Sequence, residues 1–170
     1  MESDELRSLQ APLKERYRES PEAAFVTLRA RGRLGDNVSC RVETGRALVV
    51  AGLHPATGGT GMSACSGDML LEALVACAGV TLNAVATSLG IGLRDATLEA
   101  EGDLDFRGTL GVSRDAPVGF SNIRLRIALD TDASEEQVAT LLRLTERYCV
   151  VYQTLASPPK LTVSAERASA

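Results

Sequence analysis

The sequence predicts an α+β fold, and three observations carry that expectation. Two stretches alternate between apolar and polar residues. In the first, Leu98, Ala100, Gly102, Leu104 and Phe106 interleave with Glu99, Glu101, Asp103 and Asp105; in the second, Ile123, Leu125, Ile127 and Leu129 interleave with Asn122, Arg124 and Arg126. A run of Leu, Val and Ala from Met69 to Ala86 is apolar all round the helical wheel, as in a helix surrounded by protein. The elements also segregate in the order strands, helix, strands, helix, strand, rather than alternating as in a parallel-sheet fold.

The chain of 170 residues fits one domain. We divide it into an N-terminal helical arm, residues 1–24, and a single domain, residues 25–170. Its 45% apolar and 24% charged residues exclude disorder and low complexity. A net charge of −4 excludes a general polyanion binder, so nucleic acid is not an expected partner. The acidic start, Met1 to Glu5, differs from a secretory leader and points to the cytoplasm. The Met69–Ala86 run approaches membrane-spanning length, but Glu72, Thr81, Asn83 and the lack of a basic flank oppose insertion, so no membrane partner is expected. In so small a chain, part of the covering of this helix falls to a second subunit.

In the arm, Leu6, Leu9, Leu13 and Tyr17 recur at helical spacing, interrupted by Pro12 and closed by Ser20-Pro21. From Phe25 the period becomes two, with Val26, Leu28 and Ala30 opposite Thr27, Arg29, Arg31 and Arg33. Leu34 to Asn37 reads as a turn; Val38–Val42 and Arg46–Leu53 follow as further strands of an antiparallel meander. His54 to Gly61 reads as a loop without regular structure. Ser66 is placed to cap the central helix, drawn from Gly67 to Ser88 and ended by Gly90 or Gly92. The acidic and basic outer faces of the two alternating strands predict antiparallel partners paired by charge. Ser134-Glu135-Glu136-Gln137 has the form of a capping box for a second long helix through Val138, Leu141, Leu142, Thr145 and Tyr148. Pro158-Pro159 excludes helix, and Leu161 and Val163 predict a short last strand.

The four cysteines, Cys40, Cys65, Cys77 and Cys149, form no CxxC pair, and with a single histidine they lack the clustering of a metal site. No metal is expected. A cytoplasmic setting disfavours structural disulfides, leaving buried or redox-active thiols. Cys77 shares an apolar helical face with Leu70, Ala73, Leu74, Val80 and Thr81, and Cys149 lies on a stripe with Leu142, Thr145 and Tyr152. Either residue alone reads as a small core hydrophobe. Cys65 lies near a helix N-terminus, where a thiol is made more acidic. Pairing of His54 with Cys77 or Cys65 for acyl transfer is a weaker reading. The Gly58–Gly61 loop lacks the lysine of a phosphate-binding loop, and Cys40 reads as strand packing.

The run from Cys65 through Cys77-Ala78-Gly79, following a Gly-rich loop, resembles the OsmC/Ohr family. So does Cys149, 72 residues beyond Cys77 on the other long helix. The resemblance covers roughly Phe25 to the C-terminus. It implies an intertwined homodimer in which antiparallel sheets wrap two long central helices. It also implies reduction of organic hydroperoxides, with Cys77 at the attacking position, Cys149 at the resolving position, and a dihydrolipoyl-type dithiol as reductant. The sequence departs from the active branches at three points. Their Pro-Glu-(Glu/Gln)-Leu helix start is Ser66-Gly67-Asp68-Met69 here, leaving Asp68 and Glu72 as the nearby carboxylates. The activating Arg is unassigned, with Arg33 and then Arg46 the first choices. Val150 stands where a Pro usually follows the second cysteine. A thiol peroxidase is the reading adopted. The alternative is a binding protein of the same fold holding a hydrophobic small molecule without peroxide chemistry.

Overall fold

The computed structural model describes residues 4, 5, 8, 11, 19, 31–34, 39–43, 48–111 and 113–167. Of the predicted arm, the described residues Asp4, Glu5, Ser8, Ala11 and Glu19 are helical, and Ser8 Oγ donates to the Asp4 carbonyl at 2.7 Å. The rest of the arm, the predicted strand start at Phe25, and the Pro12 and Ser20-Pro21 breaks lie outside the described residues.

The meander forms as β1 (Arg31–Leu34), β2 (Ser39–Glu43) and β3 (Leu48–Gly52), antiparallel in that order. The following segment is not irregular throughout. Pro55–Thr57 makes one 3-10 turn, because the Pro55 ring presets φ and the His54 imidazole accepts the Ala56 N–H at its start. The segment then returns to β3, where Gly52 N–H donates to the Ala64 carbonyl and Ala64 N–H donates to the Val50 carbonyl, both at 3.0 Å.

Helix α1 (Ser66–Leu89) is the predicted central helix. Its cap differs from expectation: Ser66 is already the first helical residue, and Cys65 is the extended residue before it, with no side-chain capping bond. Gly90 ends the helix at φ 68°, a left-handed conformation that costs glycine little. Leu74, Ala78, Leu82 and Ala86 form its buried stripe, one residue per turn. Among the described residues it is the one helix long and apolar enough to cross a bilayer.

Strands β4 (Asp95–Leu104) and β5 (Phe120–Asp130) form the antiparallel pair that the charge pattern predicts. Glu99 lies opposite Arg126, Glu101 opposite Arg124 and Asp103 opposite Asn122. Arg124 reaches both Glu101, at 3.3 Å, and Asp103, at 2.5 Å, while Arg126 meets Glu101 at 3.4 Å. Strand β4 stops before its predicted end because Asp105 accepts the Arg107 N–H and opens a short helix, α2 (Phe106–Thr109).

Helix α3 (Glu135–Tyr148) begins with the predicted capping box: Ser134 Oγ accepts the Gln137 N–H and Gln137 Oε1 accepts the Ser134 N–H. Helix α4 (Val150–Ala156) follows after a break at Cys149. The main core joins Leu82, Ala86 and Ile91 to Leu141, with Leu98, Ile127 and Leu129 of the β4–β5 sheet packed against them. The predicted last strand is absent: residues 158–167 are irregular, with Leu161 84% and Val163 98% exposed. A strand needs a neighbour for its N–H and C=O groups, and none of the described strands supplies one there.

Candidate thiol site

Cys77 sits in the middle of α1, between the buried stripe and the outer face, and is half-buried. Cys149 is brought to it by the break between α3 and α4. There the backbone turns extended, at φ −72° and ψ 108°, while Cys149 N–H still donates to the Thr145 carbonyl and its own carbonyl accepts the Gln153 N–H, both at 2.9 Å. One residue thus ends one helix and begins the next. The β-branched pair Val150-Val151 weakens continuous helix locally. Gln153 Nε2 fastens the kink by donating to the Glu146 carbonyl at 2.8 Å, satisfying one of the carbonyls that a helix end leaves open. The sequence predicts Cys149 near the end of one helix; the break is the finding.

The kink places Cys149, 1% exposed, close enough to Cys77 for the two thiols to shift one another's titration, and both thiols are free. Burial pushes the Cys77 thiol up. Hydrogen bonds from the Val151 N–H, the Cys149 thiol, the Val150 N–H and the Thr81 hydroxyl outweigh that, and Cys77 lies below the ordinary thiol value. Cys149 moves the other way. Burial raises it first, and the neighbouring Cys77 adds to the rise against the N–H groups of Tyr152 and Val151. Of the two thiols, Cys77 is therefore the one that gives up its proton first as pH rises.

A cavity of about 280 Å³ opens on the Cys149 side, walled by Ile123, Leu125 and Ile127 of β5 with Leu142, Glu146 and Tyr152. Cys77 is not among the residues that line it. A larger cavity, about 380 Å³, lies at the other end of α1 between His54, Cys65, Asp68, Phe106 and Phe120. There His54 stacks on Phe106 with ring centroids 4.9 Å apart. Cys77 lies twelve positions after Cys65, roughly 18 Å along the axis. His54, beside Cys65, is therefore not a base for Cys77, which removes that acyl-transfer pairing.

Asp68 lines that distant cavity and Glu72 is exposed; neither acts on Cys77 in the way the activating carboxylate of the resemblance requires. Gly67 has room for a side-chain carbon: a Cβ there would make ordinary contacts with Phe120 Cζ at 3.4 Å and Leu104 Cδ1 at 3.6 Å. Arg46 and the Arg33 side chain lie outside the described residues, as does the Cys40 side chain. The residues that sequence reasoning missed are Thr81, seen there only as one face-mate of Cys77, and the donors of Val150 and Val151. The signal for Thr81 was its position one turn after Cys77; the amides carry no side-chain signal at all.

Residues 59–164 match the model of the OsmC family, described as OsmC-like protein. The chain belongs to that family. OsmC-like structures share its fold at low sequence identity. An OsmC-like protein from Mycoplasma pneumoniae aligns with a TM-score of 0.66 and 16% identity over 78% of this chain and 89% of that one. An organic hydroperoxide resistance protein OsmC from Legionella pneumophila aligns with a TM-score of 0.61 and 18% identity over 79% and 92%. The organic hydroperoxide resistance protein from Elizabethkingia anophelis gives 0.64 and 16% over 79% and 91%. No curated protein sequence matches this OsmC-like chain.

Proposed function

We propose that this OsmC-like protein is a thiol peroxidase for organic hydroperoxides, with Cys77 as the attacking and Cys149 as the resolving residue. The observation that carries the reading is that Cys149 stands beside Cys77, the one thiol raised above and the other lowered below the ordinary value. The Cys77 thiolate attacks the distal oxygen of the hydroperoxide. The O–O bond breaks, the alkoxide leaves and takes up a proton as alcohol, and Cys77 becomes a sulfenic acid. The Cys149 sulfur then attacks the Cys77 sulfur, forms the disulfide and releases water. A dithiol of the dihydrolipoyl type reduces that disulfide by two exchanges and is itself oxidised to a disulfide. The fold relatives named for organic hydroperoxide resistance support this class of substrate. The chemistry requires neither a metal nor a bound cofactor, and the setting is cytoplasmic.

The working unit is a homodimer. Val80 on the outer face of α1 is 73% exposed and is flanked by exposed Ala73 and Ala76, while Leu161 and Val163 lie open beyond α4. A second copy covering these residues removes the need for a membrane partner. The alternative reading, a binding protein for a hydrophobic small molecule, is favoured by the apolar cavity beside Cys149.

The deciding experiment oxidises the reduced protein with cumene hydroperoxide in a single turnover, counts thiols and maps the product by mass spectrometry. Rapid loss of two thiols as a Cys77–Cys149 disulfide, abolished in Cys77→Ser, is the expected result. Oxidation no faster than that of a free thiol overturns the peroxidase reading in favour of the binding one.

A further inference from the structure

A further cavity of about 380 Å³ adjoins the one beside Cys149, walled by Leu74 of α1, Phe120 and Asn122 of β5, and Leu155 and Ala156 of α4. The two cavities share Ile123 and Leu125 on the strand and Tyr152 on the helix. Local geometry explains the sharing. Ile123, Leu125 and Ile127 fall on one face of β5, because side chains alternate along a strand, and so make one apolar wall for both cavities. On α1, Ala78 lines the near cavity and Leu74, one turn earlier, the far one. Six residue steps of β5, from Ile127 to Ser121, carry the pair of cavities over roughly 20 Å. Tyr152 is half-buried and is the residue that both cavities take from α4. Its ring turns about only two side-chain torsions, which makes it a stiff divider.

We propose that Tyr152 is a specificity-determining residue: its ring partitions one apolar groove between β5 and the α3–α4 segment, confines a compact organic ligand to the chamber beside Cys149, and shuts straight alkyl chains out of the far chamber. The near chamber, about 280 Å³, lies at the small end of the range of about 300–1,000 Å³ that holds organic ligands, whereas the joined groove lies well inside it. The partition therefore sets the size of what is accepted. Within the near chamber the strand side is aliphatic, while Glu146 and Cys149 stand on the helical side. A molecule with an apolar body and one polar end matches that division. The proposal rests on the peroxidase reading for the ligand's class, an organic hydroperoxide and the alcohol it leaves behind.

The alcohol keeps the apolar body of its hydroperoxide, so the test reads binding without a peroxide. Calorimetry titrates the reduced full-length protein with cumyl alcohol and with n-butanol, n-hexanol, n-octanol and n-decanol. Each methylene that enters an apolar site tightens binding about fourfold. In the wild type that gain is expected to stop at n-octanol, leaving n-decanol no tighter. In Tyr152→Ala the far chamber is open, and n-decanol is expected to bind about fifteenfold tighter than n-octanol. Tyr152→Phe keeps the ring and is expected to match the wild type. Affinity that climbs to n-decanol in the wild type, a Tyr152→Ala protein that levels off as the wild type does, a Tyr152→Phe protein that behaves like Tyr152→Ala, or no binding of any of these alcohols overturns the proposal. If Tyr152→Ala does not fold, Tyr152→Leu decides by the same comparison, because it keeps an apolar side chain against β5 while removing the ring. Oxidation by cumene hydroperoxide no faster than that of a free thiol, together with these affinities, would sink the peroxidase reading and leave the partition standing.

Discussion

Cys149 stands beside Cys77, and the two thiols are shifted in opposite directions from the same ordinary value of 9.0. Cys77 is lowered by its donors against burial, whereas Cys149 is raised chiefly by burial. Peptide-resolved alkylation should therefore label Cys77 with a midpoint below 9.0 and Cys149 with a midpoint above it. The sign carries over to stability. A group whose folded value is raised stabilises the fold below its unfolded value and loses that contribution as pH rises through the folded one. Thermal melts should fall as pH climbs past 9.0, and Cys149→Ala should flatten that alkaline decline. An identical decline in the variant would assign the effect to other groups.

Separating the two thiols separates the two chemical steps. In Cys149→Ser the attack on hydroperoxide should still proceed, since the largest influence lowering Cys77, the Val151 N–H, belongs to the backbone and the substitution leaves it in place. The product should be a persistent sulfenic acid, one per chain, captured by dimedone on the Cys77 peptide. Turnover with a dithiol should drop severalfold or more, because an external thiol must now do the resolving. A Cys149→Ser protein that gives no dimedone adduct under conditions where the wild type loses two thiols would contradict these roles.

Periodicity and charge made much of the fold legible. The acidic positions of β4 and the basic positions of β5 already encode their partnership, and register then sets Glu101 opposite Arg124. Ser134 and Gln137 announced the start of α3 through a local pattern that needs no tertiary information. The positions of Cys77 and Cys149 were legible, but the means of bringing them together was not. The break at Cys149 depends on Gln153 reaching the Glu146 carbonyl, a contact seven residues long that no helical template contains. Val150 and Val151 act through backbone N–H groups, which every sequence carries and none displays. The missed α2 has a similar cause: Phe106 continues the alternation of β4, yet Asp105 captures the Arg107 N–H and ends the strand. Leu161 and Val163 alternate like a strand but have no described neighbour to pair with, and alternation alone does not supply one.

Gly102 lies beneath the ring of Phe120, where a Cβ would come within 2.4 Å of Cε1 and 2.6 Å of Cδ1. The ring also walls the cavity beside Cys65, so its position shapes that end of α1. Gly102→Ala should cost about 1–3 kcal/mol of stability through overpacking. Pairing it with Phe120→Ala should recover part of that loss, since the clash disappears with the ring. Denaturant melts of the two single variants and the double variant measure the coupling. Simple additivity would show that the ring moves aside freely.

Val80 tests the homodimer proposal. It is 73% exposed on a helix that is otherwise among the most apolar segments of the chain, and a large side chain of this kind in a row with Ala73 and Ala76 is a surface suited to another copy. Within one chain, Val80→Asp should be tolerated, because the side chain points away from the buried stripe of Leu74, Ala78 and Leu82. Across a dimer it buries an unpaired carboxylate at the centre of the interface, at a cost of several kcal/mol. Light scattering behind size exclusion should therefore find the wild type as a dimer and Val80→Asp shifted to monomer at micromolar concentration. Circular dichroism of the variant should keep its helical signal. If wild type and variant both elute as monomers, the exposed face of α1 is not a subunit interface and the working unit is the single chain.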